Sequence, residues 1–555
     1  MEIDTHTTSN LPLTRFCQAN RLLQRDDGIC RLPFLIKGEV RLPKTIARVT
    51  IEEAFRACDA RRSPGTTEAH SLTIDDVQVL REAVIDRDTM KGTGEWAYSV
   101  MPAFKPHEVV DHAYGELVHD LYNMPFSEVL RFVKIVEQTL ALEYEFIDRV
   151  RAETLQTSQL PDLWHNAGFA AFPILLNENT IGQLVDNDLR AYGIRGRDLL
   201  DTWQSVPQAD LSPAPINIAM ALIDSDGGSA WRERKPQLRA MPTRQLHITA
   251  GNSPQIPLLS LIRAIATKSP AVIKLPFGAT APGSLIALAA AVALPNHPLT
   301  RHLSVVYWPG GDRKYEDTFF LPTSFDRIVV WGAPTAVISV KERAPFSKVL
   351  AFNPRFGLSL IGREAFATGA TMHEAAVRAI SDSLIANQKA CIASQVLFVE
   401  GTDEQIISFA REVQSLLKTV DAQIPNHIEP SLRGALRRLQ NGGLINADWF
   451  TNDVNGQFSS GVVIAKNEFN VAQHPMCRLL VLRPVRDLRE ALSGLTHAVS
   501  TVSVFPANRK DILRDEIAAR GVSNVVTLGE SGTGYAGQSH DGMMVLTELV
   551  DWKNS

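Results

Sequence analysis

A chain of 555 residues has room for a large core and for roughly two to four packed units, and its 45% hydrophobic and 21% charged content excludes a disordered or fibrous protein. The net charge of −5 supplies no global attraction to nucleic acid or to anionic membranes. Cys17, Cys30, Cys58, Cys391 and Cys477 are widely spaced, odd in number and without a CxxC pair, which argues against a disulfide framework or zinc ribbon and for a reducing, cytoplasmic setting.

In chain order, "MEIDTHTTSNLPLTRF" carries acidic residues and lacks the apolar run of a signal peptide. Residues 1–200 read as a mostly helical lead-in, in which "SEVLRFVKIVEQTLALEYEFIDRVRAE" predicts one long amphipathic helix with Ser127 as its N-cap. "HEVVDH", residues 107–112, has one residue too many for an HExxH zinc helix, because five positions turn a side chain by ~500°. "DSDGGSAWRERKPQ" suggests a boundary within 200–240.

From residue 245 the pattern alternates: "QLHITAG", "SPQIPLLSLIRAIATK", "AVIKLP", "APGSLIALAAAVAL", "LSVVYWPG", then "FDRIVVWG" and "GLSLIG". Apolar strands separated by helices predict a doubly wound parallel sheet with ligands at the strands' carboxyl ends. The apolar run "SLIALAAAVALP" is too short to span a bilayer and reads as a buried helix. "GTGYAG", residues 532–537, matches a dinucleotide fingerprint literally, yet only 18 residues follow it, too few for a βαβ unit, so it reads as a glycine loop. The expected units are a helical region 1–200, a Rossmann-like cofactor domain 201–380, an α/β catalytic domain 381–530 and a C-terminal glycine loop and tail 531–555.

"ANQKACIASQVLFV" sets Cys391 between a helix candidate and a strand candidate, in a connection of the kind that displays reactive groups. A lone cysteine is also a common small core residue. Its surroundings favour the nucleophile. "NQKACIASQVLFV" resembles the catalytic-cysteine segment of the aldehyde dehydrogenase superfamily, and more closely that of the acyl-CoA reductase branch that includes the fatty acid reductase of bacterial luminescence. "HITAGNSPQIPLLSLIRAIATKSPAVIKLPFG", "VVYWPGGD", "IVVWGAP" and a late "HDG" at 540–542 follow the family's order over about 240–545.

That resemblance implies an aldehyde dehydrogenase-like α/β fold and roles for particular residues. Asn252 corresponds to the oxyanion-binding asparagine, a donor worth ~3 kcal/mol of barrier, with the Cys391 backbone N–H as the second donor; on its own, Asn252 reads equally as a turn residue. Lys274 corresponds to the lysine that contacts the cofactor's ribose or 2′-phosphate. No carboxylate follows in "LPFGATAP", which favours NADPH over NADH. Gly332 and Thr335 of "WGAPTAV" fall in the next cofactor loop. His540 is a family-flavoured supporting residue.

One departure bears on the reaction. Hydrolytic relatives carry a glutamate upstream of the cysteine, and here "RFGLSLIGRE" has Gly357 or a neighbour in that place, with Glu364 as a shifted alternative. Without a positioned base a thioester outlives water attack. The expectation is an NADPH-dependent reductase of fatty acyl-CoA or acyl-protein thioesters, forming aldehyde through acyl-Cys391. The resemblance further implies a long-chain preference, a homo-oligomer, and an acyl-protein synthetase or transferase partner. The alternatives are a hydrolytic aldehyde dehydrogenase, an acyl phosphate reductase, and a non-enzymatic acyl acceptor in a transfer complex.

Overall fold

The computed structural model of the protein describes residues 11–61, 70–207, 236–251, 253–426, 428, 430–444, 446–454 and 456–555. The alternation that begins at residue 245 forms five parallel strands: Gln245–Ile248, Ala271–Lys274, Leu303–Val306, Arg327–Trp331 and Lys348–Phe352. Numbered one to five in chain order, they lie across the sheet as five, four, one, two, three, with the antiparallel pair Phe34–Ile36 and Glu39–Arg41 beyond strand three. This order reverses between strands one and four, so a crevice is left outside their carboxyl ends.

Strands two and three are buried along their whole length, and so read as short, mostly apolar runs. Helix Thr280–Ala293 is buried from Thr280 to Ala291, which is why it is apolar all round. Among the described residues no helix is long and apolar enough to cross a membrane.

A second seven-stranded sheet follows. Across it lie Asp448–Val454, Gln457–Ile464, Leu479–Val485, Ser394–Glu400, Phe356–Ile361, Val499–Phe505 and Asn524–Thr527, parallel except for the first pair. Its two faces carry separate apolar cores, one around Leu360, Val481 and Val502, the other around Leu397, Phe409 and Leu480. The chain passes from the first sheet to the second between Phe352 and Phe356.

Helices occupy much of 106–201 and share one core with the first sheet. Ahead of them stands a five-stranded sheet built on the long hairpin Val77–Ile85 and Gly92–Pro102, which the helical expectation for this region did not contain. The single helix expected from Ser127 is two helices, Phe126–Leu142 and Tyr144–Leu155. It breaks at Glu143, whose buried carboxylate accepts from the backbone N–H groups of Leu13 and Thr14, both at 2.8 Å, and from the Thr14 hydroxyl. Glu143 thus serves the open amino end of helix Pro12–Ala19. Ser127 is not the cap: Asp201 accepts from Phe126 N–H at 2.9 and 3.0 Å. The expected boundary within 200–240 falls mostly in 208–235, outside the described residues.

Candidate active site around Cys391

Helix Gly369–Ser383 ends ahead of the cysteine and strand Ser394–Glu400 begins after it, leaving Cys391 partly buried in the connection. Ala386, Asn387 and Gln388 all take left-handed φ values of 50°, 55° and 66°. Three such residues in a row are costly for non-glycine backbone and persist only when held. A second left-handed run, Met476, Cys477 and Arg478 (57°, 58°, 56°), holds them. Arg478 Nε donates to Asn387 Oδ1 at 2.7 Å, and Gln388 Nε2 donates to the carbonyl of Leu479 at 2.8 Å. Arg478 is itself fully buried and paired with Asp421 at 2.9 Å. The Asn-Gln pair ahead of the cysteine therefore shapes the loop. Beyond it, the Ser500 hydroxyl donates to the Cys391 carbonyl at 2.6 Å.

Two charged side chains act on the thiol, Asp541 and Arg355. Burial, and then the negative charge of Asp541, push the Cys391 thiol up to about 11, with Arg355 and local backbone N–H groups opposing. The resting residue is a thiol, not a thiolate.

Strand Phe356–Ile361 passes directly beneath the loop. A Cβ on Gly357 would stand 2.3 Å from the Ile392 carbonyl, and Gly357 N–H donates to Ala393 at 2.9 Å. Close backbone approach therefore demands glycine at this position. Glu364 lies past the opposite end of the same strand, bonded to Arg509 at 2.8 Å and 40% exposed, and so is out of reach of the cysteine loop.

The cofactor candidates gather at the carboxyl ends of the first sheet. Gly332 follows strand four directly, and Thr335 is exposed in the first turn of helix Pro334–Arg343; both border the crevice where the strand order reverses. On the other side, the turn after strand one runs so close to the next loop that a Gly251 Cβ would fall 1.8 Å from the Phe277 carbonyl. Asn252 lies outside the described residues. Lys274 is 8% exposed and lies beside the rings of Tyr307 and Trp308, at 5.3 and 5.4 Å from their centroids. Among the described residues its ammonium has one hydrogen bond, 3.4 Å to the Leu275 carbonyl. Burial, partly offset by Glu316, lowers its pKa to about 8.

A nicotinamide dinucleotide suits these residues: an open helix terminus at the switch point and an under-bonded cation nearby match a phosphate-bearing group. Two residues at the cysteine escaped the sequence reading. Arg355 stands at the head of "RFGLSLIGRE" and Asp541 inside "HDG", where neither carries a catalytic signal of its own. The Asp-Gly pair is a turn signal that could have drawn attention to Asp541. The decoys have ordinary duties. Gly537 of "GTGYAG" packs on Asn187 and Asp188, and Glu108 of "HEVVDH" pairs with Arg41 at 3.0 Å.

Comparison with known proteins agrees with this fold. Aldehyde dehydrogenase 21 from Physcomitrella patens superposes with a TM-score of 0.63 at 14% identity, covering 86% of this chain and 94% of its own. An NAD-dependent aldehyde dehydrogenase from Sinorhizobium meliloti superposes with 0.63 at 13% identity, covering 99% and 96%. These likenesses show the aldehyde dehydrogenase fold. A long-chain acyl-protein thioester reductase from Photorhabdus laumondii is 30% identical over 332 residues, 57% of this chain and 64% of the relative, so the match spans slightly under two thirds of that protein. Its counterpart from Vibrio harveyi is 25% identical over 59% of this chain and 69% of its own. The family model described as Acyl-CoA reductase (LuxC) matches residues 229–552, more than half of the protein. The chain belongs to the Acyl-CoA reductase (LuxC) family.

Proposed function

We propose that the protein reduces a fatty acyl thioester to the aldehyde through an acyl group carried on Cys391. The observation that carries this reading is the fit between the cysteine loop and Gly357: in the segment where hydrolytic relatives carry a glutamate, the loop backbone lies against a glycine, which supports an acyl-enzyme that outlives water attack. Cys391 attacks the thioester carbonyl and the donor thiol departs, free CoA or a protein-bound thiol being equivalent to this step. Asn252 and the Cys391 backbone N–H are the proposed oxyanion donors.

Lys274, Gly332 and Thr335 are the proposed cofactor contacts. The absence of a carboxylate in "LPFG" after Lys274 supports NADPH, because a 2′-phosphate meets no repulsion from that loop. The dinucleotide, when bound, supplies the hydride for the acyl carbon. The chain's own part is to carry the acyl carbon on Cys391 and to release the aldehyde by expelling the Cys391 thiolate.

A cavity of about 250 Å³ supports a fatty substrate. Ile85, Met90, Pro161, Leu432 and Met476 line it together with Asn387 and Lys389 of the segment that leads to Cys391.

Incubation with labelled long-chain acyl-CoA tests the reading. Wild type is expected to retain label that NADPH discharges as aldehyde, while Cys391→Ala retains none. Label on Cys391→Ala overturns the nucleophile, and label that NADPH leaves in place overturns the reductase in favour of an acyl acceptor. Release of free acid on incubation with aldehyde and NADP+ without CoA would favour the hydrolytic alternative.

A further inference from the structure

Cys391 stands inside a tight turn. Ala393 N–H donates to the Ala390 carbonyl at 3.0 Å, closing four residues with Cys391 and Ile392 at the centre. Neither central residue has a positive φ, which types II, I′ and II′ all require, so the turn is type I. Both central residues then take right-handed angles, successive peptide planes are nearly parallel, and their N–H groups emerge on one side.

The carbonyls that belong to those peptides are both engaged. Ala393 takes the Ala390 oxygen, and the Ser500 hydroxyl takes the Cys391 oxygen at 2.6 Å. That is much the shortest contact of this hydroxyl, since the Phe356 carbonyl and the Thr501 hydroxyl each lie at 3.5 Å. Ser500 belongs to strand Val499–Phe505 and is 1% exposed, so water does not compete for its proton. One residue further on, the Ala393 carbonyl accepts from Gly357 N–H at 2.9 Å. The turn is thus pinned to the sheet through Ser500 on one strand and Gly357 on another.

These peptide bonds are trans, so each N–H points away from its own carbonyl. With the Ala390 and Cys391 oxygens engaged, the N–H groups of Cys391 and Ile392 face the opposite side. Among the described residues neither donates to a carbonyl or to another residue's side chain. Two adjacent, half-buried donors without an acceptor are uncommon in a folded chain. Both act on the Cys391 sulfur, where they oppose the rise in pKa that burial and Asp541 cause.

Resting on the reading of Cys391 as the nucleophile, we infer that Ile392 N–H joins Cys391 N–H as a donor to the oxyanion, and that Ser500 is the positioning residue that aims it. As the cysteine sulfur bonds to the acyl carbon, the carbonyl π pair moves onto oxygen, between the two N–H groups. When that pair returns, the bond to the donor sulfur breaks, and the donor leaves with the proton that Cys391 gave up. No oxidant or reductant enters this half of the reaction. Two donors fixed on one turn need no rearrangement as the charge appears. Ser500 itself touches neither the sulfur nor the substrate.

Ser500→Ala tests this, because it removes the hydroxyl and leaves both N–H groups in the chain. At saturating acyl-CoA without NADPH, transfer of labelled acyl group is expected to slow roughly tenfold, while KM for acyl-CoA stays within about twofold. Alkylation of Cys391 by iodoacetamide at pH 8 is expected to slow about threefold, because a thiolate that loses a donor forms less readily. Asp541 and Arg355 act on the thiol in both proteins. Ser500→Thr keeps the hydroxyl and is expected to recover most of both rates; recovery of neither overturns the proposal. A hydrogen bond that served only stability would lower the urea midpoint and leave both rates per folded molecule unchanged. That result, or faster alkylation, also overturns it.

Should circular dichroism show Ser500→Ala unfolded, wild type carrying isotope-labelled isoleucine decides, with Ile392→Val identifying the amide. A long-chain alkyl trifluoromethyl ketone adds to a cysteine as a thiohemiketal. In protein whose Cys391 it has shielded from iodoacetamide, the Ile392 amide proton must move downfield, and one that stays in place overturns the proposal. Label retained by Cys391→Ala removes the underlying function instead, whatever Ser500 does.

Discussion

At the amino end of the first parallel sheet, Lys268 is fully buried and its ammonium meets the carbonyls of Met124 at 2.9 Å and Leu200 at 2.8 Å and the Asp201 carboxylate at 3.0 Å. At the carboxyl end of the next strand, Lys274 is almost as deep and, among the described residues, has one long contact and two aromatic faces. The contrast extends to their surroundings. Strands one and four are clamped together at their amino ends by Arg244, whose guanidinium grips Asp326 at 2.7 and 3.1 Å and the Thr323 carbonyl at 2.6 Å. Past their carboxyl ends, the chain leaves strand four at Gly332, on the side where the strand order reverses. A buried cation with a full set of acceptors belongs to the scaffold; one left short of acceptors has capacity for a ligand.

The largest effect is expected from breaking the saturated end. Lys268→Met leaves two carbonyls and the Asp201 carboxylate without their cation, and Asp201 also caps helix Phe126–Leu142. Because Asp201 is 30% exposed, water recovers part of the loss. A destabilisation on the order of 3 kcal/mol is expected as a shift of the urea midpoint, with activity per folded molecule retained. Lys274→Met is expected to reverse that pattern. Stability stays within about 1 kcal/mol, since an under-bonded ammonium gives way to an apolar chain, whereas KM for NADPH rises roughly 10- to 100-fold. A Lys274→Met protein that loses stability but keeps its KM would break the distinction between the two lysines.

The same division explains what the sequence made legible. The parallel strands could be read because both faces are buried, so Val272, Ile273 and Val305 stand in short apolar runs bounded by turns. The N-terminal sheet could not, because its hairpin buries Gln78, Arg81, Glu82 and Ser99 and lacks a clean alternation. Arg81 lies between the rings of Phe55 and Trp96, at 4.4 and 4.5 Å, where a pattern of apolar residues would be sought. At the candidate site, residues adjacent to Cys391 could be read from local order. Arg355 and Asp541 could not, because 186 positions separate them and only the meeting of the two sheets pairs them. The lack of a glutamate in "RFGLSLIGRE" ahead of Arg363 was visible in the sequence; the loop backbone lying on Gly357 required the fold.

The two ends are also expected to respond to pH with opposite slopes. At the amino end, the His302 ring lies between Asp111 at 2.8 Å and Asp120 at 2.9 Å, tying the helical region to strand three. Burial alone lowers an imidazole's pKa, but hydrogen bonds to both carboxylates outweigh it and raise His302 above its ordinary value. A raised folded pKa means the folded state holds the proton more tightly than the unfolded chain. The stability from His302 is therefore complete below pH ~6.5 and fades as pH climbs through the higher folded value. Lys274 has the reverse sign. Its folded pKa, about 8, lies below that of the unfolded chain, so its burial penalty is full below pH 8 and is relieved as pH rises toward the ordinary lysine range. His302→Gln should cost about 1 to 2 kcal/mol at pH 6 and progressively less above neutrality, while Lys274→Met should remove a rise in stability above pH 8. Urea midpoints from pH 6 to 9.5 check both, and a His302→Gln deficit that does not shrink with rising pH would place the stabilisation in packing rather than in a charged imidazolium held by two carboxylates.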